Sequence, residues 1–337
     1  MPAAFAILRP VPVKLALALL VTILIGAACS GGNDHGQPSS IRVGAKPWAV
    51  AVNEVTRRLY AANEFDNTVT IADLDDGTII ATITVGVGPN AAAVNRTTGR
   101  VYIANAFSDD VTVIENDEVV ATVPAGASPW DVAVDEATDR IYVANQGSGS
   151  GVDGTVSVID GRTNQLASTL VGFQQPWGVI VIAGSLYVAD ANANALVKID
   201  PTTGDTEGRL TVGTRPRGLA VDANATHLYV TNVEDQTVSV VDLASSAVVA
   251  TITVGLSPQE VAVNPRRSEA YVVNTFADSL SIINTSDNSV KATVDAGNRP
   301  WDVKVSDDGI YIYVASSGSG EIKVFTPDQL AKASPVG

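Results

Sequence analysis

The sequence predicts an all-β ring of seven four-stranded antiparallel sheets, a β-propeller, and three observations carry that prediction. A phrase of about forty residues recurs seven times, a period that marks one supersecondary unit and is too short for a domain. Each of the first six copies contains four apolar, β-branched runs of strand length. The last copy lacks its fourth run, and a matching run stands at the head of the chain.

The clearest beat of the repeat is a glycine with a proline three or four residues on: Gly44/Pro47, Gly86/Pro89, Gly126/Pro129, Gly172/Pro176, Gly213/Pro216, Gly255/Pro258 and Gly297/Pro300. Successive glycines lie 42, 40, 46, 41, 42 and 42 residues apart. Within the second copy the runs are Pro89 to Val94, Arg100 to Asn105, Val111 to Glu115 and Val119 to Gly126, separated by Asn, Asp, Gly and Thr. That pattern reads as a four-stranded meander. Runs such as Ala49 to Val52 and Val238 to Val241 lack a polar face, as expected of sheets covered on both sides by copies of themselves. A β-solenoid fits less well, because its coils are shorter and do not carry four strands with three turns. After residue 40 no segment shows a helical stripe.

Closure has its own signature. The last copy supplies Trp301 to Val305, Tyr311 to Ala315 and Ile322 to Phe325, then runs into Thr326, Pro327 and Asp328. Ile41 to Gly44 matches the close of a repeat such as Ile252 to Gly255. Pairing this leading strand into the last blade would remove the open edge of a linear array.

The second run of each copy ends on a recurring phrase. It is Tyr-Val-Thr-Asn at Tyr229 to Asn232, with variants at Tyr102 to Asn105, Tyr142 to Asn145, Tyr187 to Asp190 and Tyr271 to Asn274. Looser copies stand at Tyr60 to Asn63 and at Tyr313 to Ser316. On these residues the chain resembles the YVTN-repeat family of seven-bladed β-propellers over residues 41–326. The resemblance implies the fold. It does not imply an activity, since the shared residues belong to the scaffold.

Residues 1–28 read as a signal peptide of the lipoprotein type. Arg9 and Lys14 precede a 14-residue apolar stretch, Leu15 to Ala28, which reaches Cys29, the only cysteine of the chain. That length suits a signal and is short for a spanning helix. Cys29 with Ser30, Gly31 and Gly32 looks like a bacterial lipoprotein cleavage site, with Gly26 where the resembled signal has a Leu-like residue. The reading implies lipidation at Cys29 and an extracytoplasmic, membrane-anchored protein of the cell envelope or periplasm. Residues 29–40 read as a flexible tether, 41–326 as the propeller and 327–337 as a C-terminal tail.

With one cysteine there is no internal disulfide, so stability rests on the core, and 46% hydrophobic residues supply one. The formal charge is −15; removing residues 1–28 leaves 19 basic against 36 acidic residues, or −17. A surface this acidic repels phosphate backbones, which argues against nucleic-acid binding and against adhesion to anionic lipid.

Neighbouring strands run in opposite directions, so the residues after each Pro and those closing each Tyr-Val-x-Asn phrase fall on one face of the ring. The first positions after Pro are Trp48, Asn90, Trp130, Trp177, Arg217, Gln259 and Trp301, and these are candidate ligand-binding residues. They vary from blade to blade while their neighbours repeat, as an asymmetric ligand would require. All four tryptophans of the chain are among them. They read either as the aromatic walls of a pocket or as plugs between neighbouring blades. Second positions include Asp131, Glu260 and Asp302, hard oxygen donors suited to calcium or magnesium. Lys304, Arg215, Arg217 and Arg299 lie close in the repeat, so ion pairing accounts for the same acids. Loops after the second strands add Phe65-Asp66, Phe107 to Asp109, Glu234-Asp235 and Phe276 to Asp278 to this face, with residues 146–154 as a mobile flap; such loops commonly carry function, although most of these acids read as turn formers.

Catalytic inventory is thin: the two histidines are His35 in the tether and His227 on the opposite face, and no Ser–His–Asp, Cys–His or zinc cluster assembles. The leading expectation is a monomeric, membrane-tethered binding propeller that presents its loop face to an envelope protein, a glycan or a small ligand. A metal-dependent hydrolase or lactonase using Asp131, Glu260 and Asp302 is one alternative. A structural envelope component is the other.

Overall fold

The computed structural model of the protein describes residues 36–148 and 153–332. Seven four-stranded antiparallel sheets follow one another along the chain. Blade one shows the plan: inner strand Pro47–Asn53, then Arg58–Asn63, Thr68–Asp73 and outer strand Ile79–Thr84. The inner strands pack side by side in ring order and return from the seventh to the first, which closes the circle.

The seven clusters of buried apolar side chains each lie between two successive blades. One such cluster joins Tyr142, Val156 and Phe173 of blade three to Val179, Leu186 and Val197 of blade four. Another joins Leu59 and Ala72 of blade one to Tyr313 and Val324 of blade seven. Both faces of every sheet are therefore buried, which is why the strand runs carry no polar face.

The last sheet runs Ser40–Arg42, Glu321–Phe325, Ile312–Ser316, Pro300–Val305, with Ile41 opposite Ile322. The leading strand thus latches the ring. Order begins earlier than the expected boundary at residue 41. Gln37 is buried, donates to the Leu74 carbonyl and meets the Tyr313 hydroxyl at 3.3 Å, so Gln37 to Ser40 belong to the ring and not to the tether. The expected tail also changes character, because Pro327–Lys332 forms a helix. Thr326 and Gln329 exchange hydrogen bonds at its start, proline occupies its first position, and Leu330 is buried between blades six and seven. The signal peptide, Cys29, His35, residues 149–152 of the expected flap and residues 333–337 lie outside the described residues.

The glycine beat has a mechanical cause. Asn232 donates to Thr237 Oγ1 at 3.0 Å and Ser239 Oγ at 2.9 Å, and accepts from Gly213 N–H at 3.1 Å. A side chain on Gly213 would bring its first carbon to 2.5 Å of Asn232 Cγ, so only glycine closes over the amide. The same bond from asparagine to two third-strand hydroxyls recurs at Asn63, Asn145 and Asn274. Blade four departs. Asp190 cannot donate, its third-strand partners become Ala195 and Val197, and it accepts from Gln174 and Gln175 N–H instead. Gly172 is out of register there. Phe173 takes the beat position and fills the gap between blades, with only 2% of its surface exposed.

Candidate functional site

Inner strands begin at proline on the loop face, and each is bulged at its start. Pro47 faces Asn63 and Ala49 faces Ala62, so Trp48 has no partner in register. The same slip isolates Asn90, Trp130, Trp177 and Trp301, and in blades five and six it spans two residues, Arg217 with Gly218 and Gln259 with Glu260. A bulge re-aims the extra residue. Here it turns the first-position side chains toward the axis of the ring.

The structure brings the seven predicted residues together at one channel mouth. Trp48 lies on Trp301 with ring centroids 4.3 Å apart and meets Trp130 edge-on at 5.8 Å, while Trp130 stacks on Trp177 at 6.2 Å. The guanidinium of Arg217 sits 4.9 Å from the Trp301 ring centre and 5.7 Å from that of Trp130, and it donates to Gln259 Oε1. The tryptophans therefore face one another across the axis and close the mouth, instead of wedging separately between blades. Beneath them remains a void of about 30 Å³, bordered by Asn90, Asp131 and Glu260, room for a water molecule or two. Among the described residues Asn90 has neither amide atom paired, and the indole N–H groups of Trp130, Trp177 and Trp301 are likewise buried without a partner.

One level deeper stand Asp131, Glu260 and Asp302. An inner strand is the edge of its sheet, so its outward N–H groups need partners. Asp131 accepts from Val132 and from Val179 of the next blade at 2.8 and 2.9 Å. Asp302 accepts from Val50 of the next blade at 2.9 Å and pairs with Lys304 Nζ at 2.8 Å. Glu260 accepts from Val261 N–H at 3.2 Å. Asp131 and Asp302 staple free strand edges across blades, while Glu260 bonds within its own strand. Among the described residues no group of three His, Cys, Asp or Glu side chains is arranged to hold a metal ion. Asp131, Glu260 and Asp302 instead gather around Lys304.

Burial pushes Glu260 up from 4.5 to about 7, opposed by Lys304 and reinforced by Asp302 and Asp131. Burial likewise raises Asp131 against its hydrogen bonds. For Lys304 burial pulls downward, but Asp302 and Glu260 overcome it and hold the ammonium above its ordinary value. Arg217 is lowered by burial, with Glu260, Asp131 and Asp302 opposing.

Second positions that carry glycine have a packing reason. A side chain on Gly218 would come within 2.6 Å of the Gln259 carbonyl, and one on Gly178 would strike the Arg217 carbonyl. At these two positions the glycine is explained by how closely the next blade approaches.

The loops after the second strands form the rim, and what the sequence did not show is the exposure of their phenylalanines. Among the described residues Phe65, Phe107 and Phe276 are the exposed phenylalanines, 68%, 67% and 59% accessible, all in loops of this face. Val87 and Leu256 stand exposed beside Phe107 and Phe276, to which they are bonded through the backbone. Lys46, Arg215 and Arg299, the residues before Pro, adopt φ of 51°, 54° and 51°. That conformation lays them over Phe65 at 4.4 Å, Trp177 at 4.3 Å and Phe276 at 5.7 Å. The signal was present as a Phe-x-Asp or Phe-Asp phrase in three loops. The loop acids do more than shape their own turns, because they tie two loops of this face together: Asp66 accepts from Ala45 N–H at 2.6 Å, Asp235 from Thr214 at 2.6 Å and Asp278 from Arg299 at 2.7 Å. His227, on the opposite face, is bound to Asp222 at 3.1 Å.

A seven-bladed β-propeller with an aromatic loop face is the class these features define. Residues 211–332, which hold the last three blades, match the sequence model of the YNCE-like beta-propeller family. No curated protein matches the chain. Among solved structures, Kuenenia stuttgartiensis hydrazine synthase superposes with a TM-score of 0.75 over 89% of this chain and 98% of that one, at 17% identity. At that identity the likeness concerns the fold alone.

Proposed function

We propose that the protein is an extracytoplasmic, membrane-tethered binding propeller that docks a protein partner on its loop face. The observation that carries this reading is the composition of that face. Three exposed phenylalanines surround a closed tryptophan cluster, and three basic side chains lie flat on aromatic rings. Aromatic and arginine side chains held rigid in this way are the residues that dominate protein interfaces. A mouth filled by indoles offers a surface more than a pocket, which favours a macromolecule over a small ligand or a single sugar. The carboxylates that a metal-dependent hydrolase would use are bound to backbone N–H groups and to Lys304. The closed ring, with its last strand edge latched, fits a monomer. The signal-like segment and Cys29 support anchoring in the envelope through a lipid.

Two experiments test the reading. Phe107→Ser and Phe276→Ser together should reduce affinity for the envelope protein captured by the parent at least about ten-fold, the loss of two anchor side chains. Their thermal stability should stay at the parent's value, since both rings are exposed. Unchanged capture would refute the docking face. Cys29→Ser should move the protein from the membrane to the soluble fraction, and retention on the membrane would refute the lipid anchor.

A further inference from the structure

The channel is closed at the tryptophan end and open at the other. Below the acids it widens into a chamber of about 430 Å³, within the range of small-molecule sites. Val52, Val94, Val134, Val181, Leu219 and Val305 line its wall from six inner strands. Asp131, Glu260 and Lys304 form its inner end. Glu54, Arg96, Glu136 and Asp307 stand at its mouth, where the inner strands end on the face opposite the tryptophans.

Two features define the chemistry of an occupant. The lining sets five carboxylates against two basic groups, Arg96 and Lys304, inside an apolar wall. A cleft with one sign in excess and low-dielectric sides concentrates the opposite charge. Moreover, the mouth acids already hold a cation of the protein's own. Arg96 of blade two reaches Glu136 of blade three at 2.9 Å and Asp307 of blade seven at 2.9 Å, spanning blade one, while Glu54 accepts from Asp307 N–H at 2.7 Å. The guanidinium lies as a strap across part of the opening, and half of its side chain remains exposed.

We propose that this chamber binds a small aliphatic amine, entering from the face opposite the tryptophans. Its methylene chain would lie against the valine wall and its ammonium would meet Glu260 at the inner end, with Arg96 competing for the mouth acids. This site is separate from the docking face, so either proposal stands or falls without the other.

Titration calorimetry of the full chain with cadaverine, and with the neutral diol of the same chain length, tests the proposal. Cadaverine should bind and the diol should not. Arg96→Gln should tighten cadaverine several-fold by freeing Glu136 and Asp307. Glu260→Gln should weaken it about ten-fold, one charge–charge contact in a shielded site. Glu136→Gln, at the exposed rim, provides a second loss-of-affinity variant if Glu260→Gln does not fold. Glu118→Gln, on an outer strand, should leave affinity unchanged.

Glu260 is enclosed by Lys304, Asp302, Asp131 and Arg217, and its pKa is pushed up to about 7. An arriving ammonium favours the ionised carboxylate, so binding should release a proton and tighten as pH rises from about 6 to about 8. That pH dependence should vanish in Glu260→Gln. Equal affinity for cadaverine and the diol would overturn the proposal. So would cadaverine binding that neither Glu260→Gln nor Glu136→Gln alters, which would mark adhesion to the acidic surface.

Discussion

At the residue scale the repeat is held by one amide used over and over. Asn232 ties Gly213 N–H to two hydroxyls of the third strand; the amide and Ser239 are buried, Gly213 and Thr237 half-buried. Asn232→Ala would leave these groups without partners, at about 2–3 kcal/mol for one buried hydroxyl and two half-buried groups. Chemical denaturation should show that loss, and a change under about 1 kcal/mol would contradict the role given to the amide. Blade four supplies the converse. Asp190→Asn restores the repeat's own residue but puts an N–H donor opposite Ala195 and Val197, and it should destabilise although it moves toward the consensus. The asparagine and glycine were each legible as repeated letters. Their contact was not, because it joins residues 19 apart whose closeness only the folded blade creates.

At the element scale, strands were read from the sequence within a residue or two, since β-branched runs alternate with turn residues throughout. The leading latch was legible because the last repeat was one strand short. The C-terminal helix was missed, although Thr326, Pro327 and Gln329 form a capping signature, because six residues leave no room for a helical stripe. The bulges were invisible as well: nothing in Pro47 and Trp48 announces that register will slip there, yet the slip is what aims the tryptophan. Trimming the chain to begin at Ala45 removes the strand that covers Glu321–Phe325. The trimmed protein should unfold at lower denaturant and self-associate through the exposed edge, as seen by size-exclusion chromatography. A monomer of parental stability would refute the latch.

At the scale of the whole molecule, the ring divides its two faces by chemistry. The loop face is aromatic, carries lysine and arginine on its rings, and is shut at the axis by four indoles. The opposite face opens into an acid-lined chamber. The candidate site was half legible. The repeat alone put the seven first positions and the loops of Phe65, Phe107 and Phe276 on one face, but the exposure of those rings was not legible, because exposure is a property of the closed ring. The acids drew attention as ligands when their work is to satisfy free strand edges, a need that appears only once the inner strands are known to be edges. The measurement that addresses the central claim most directly is site-specific photo-crosslinking in the native envelope. A crosslinker is placed at Phe107 and Phe276 on the loop face, and in turn at Val171 and Leu166 on the outer strand of blade three. The account predicts adducts to one protein partner from Phe107 and Phe276 alone; adducts from the outer strand only, or from none of the four, would contradict it.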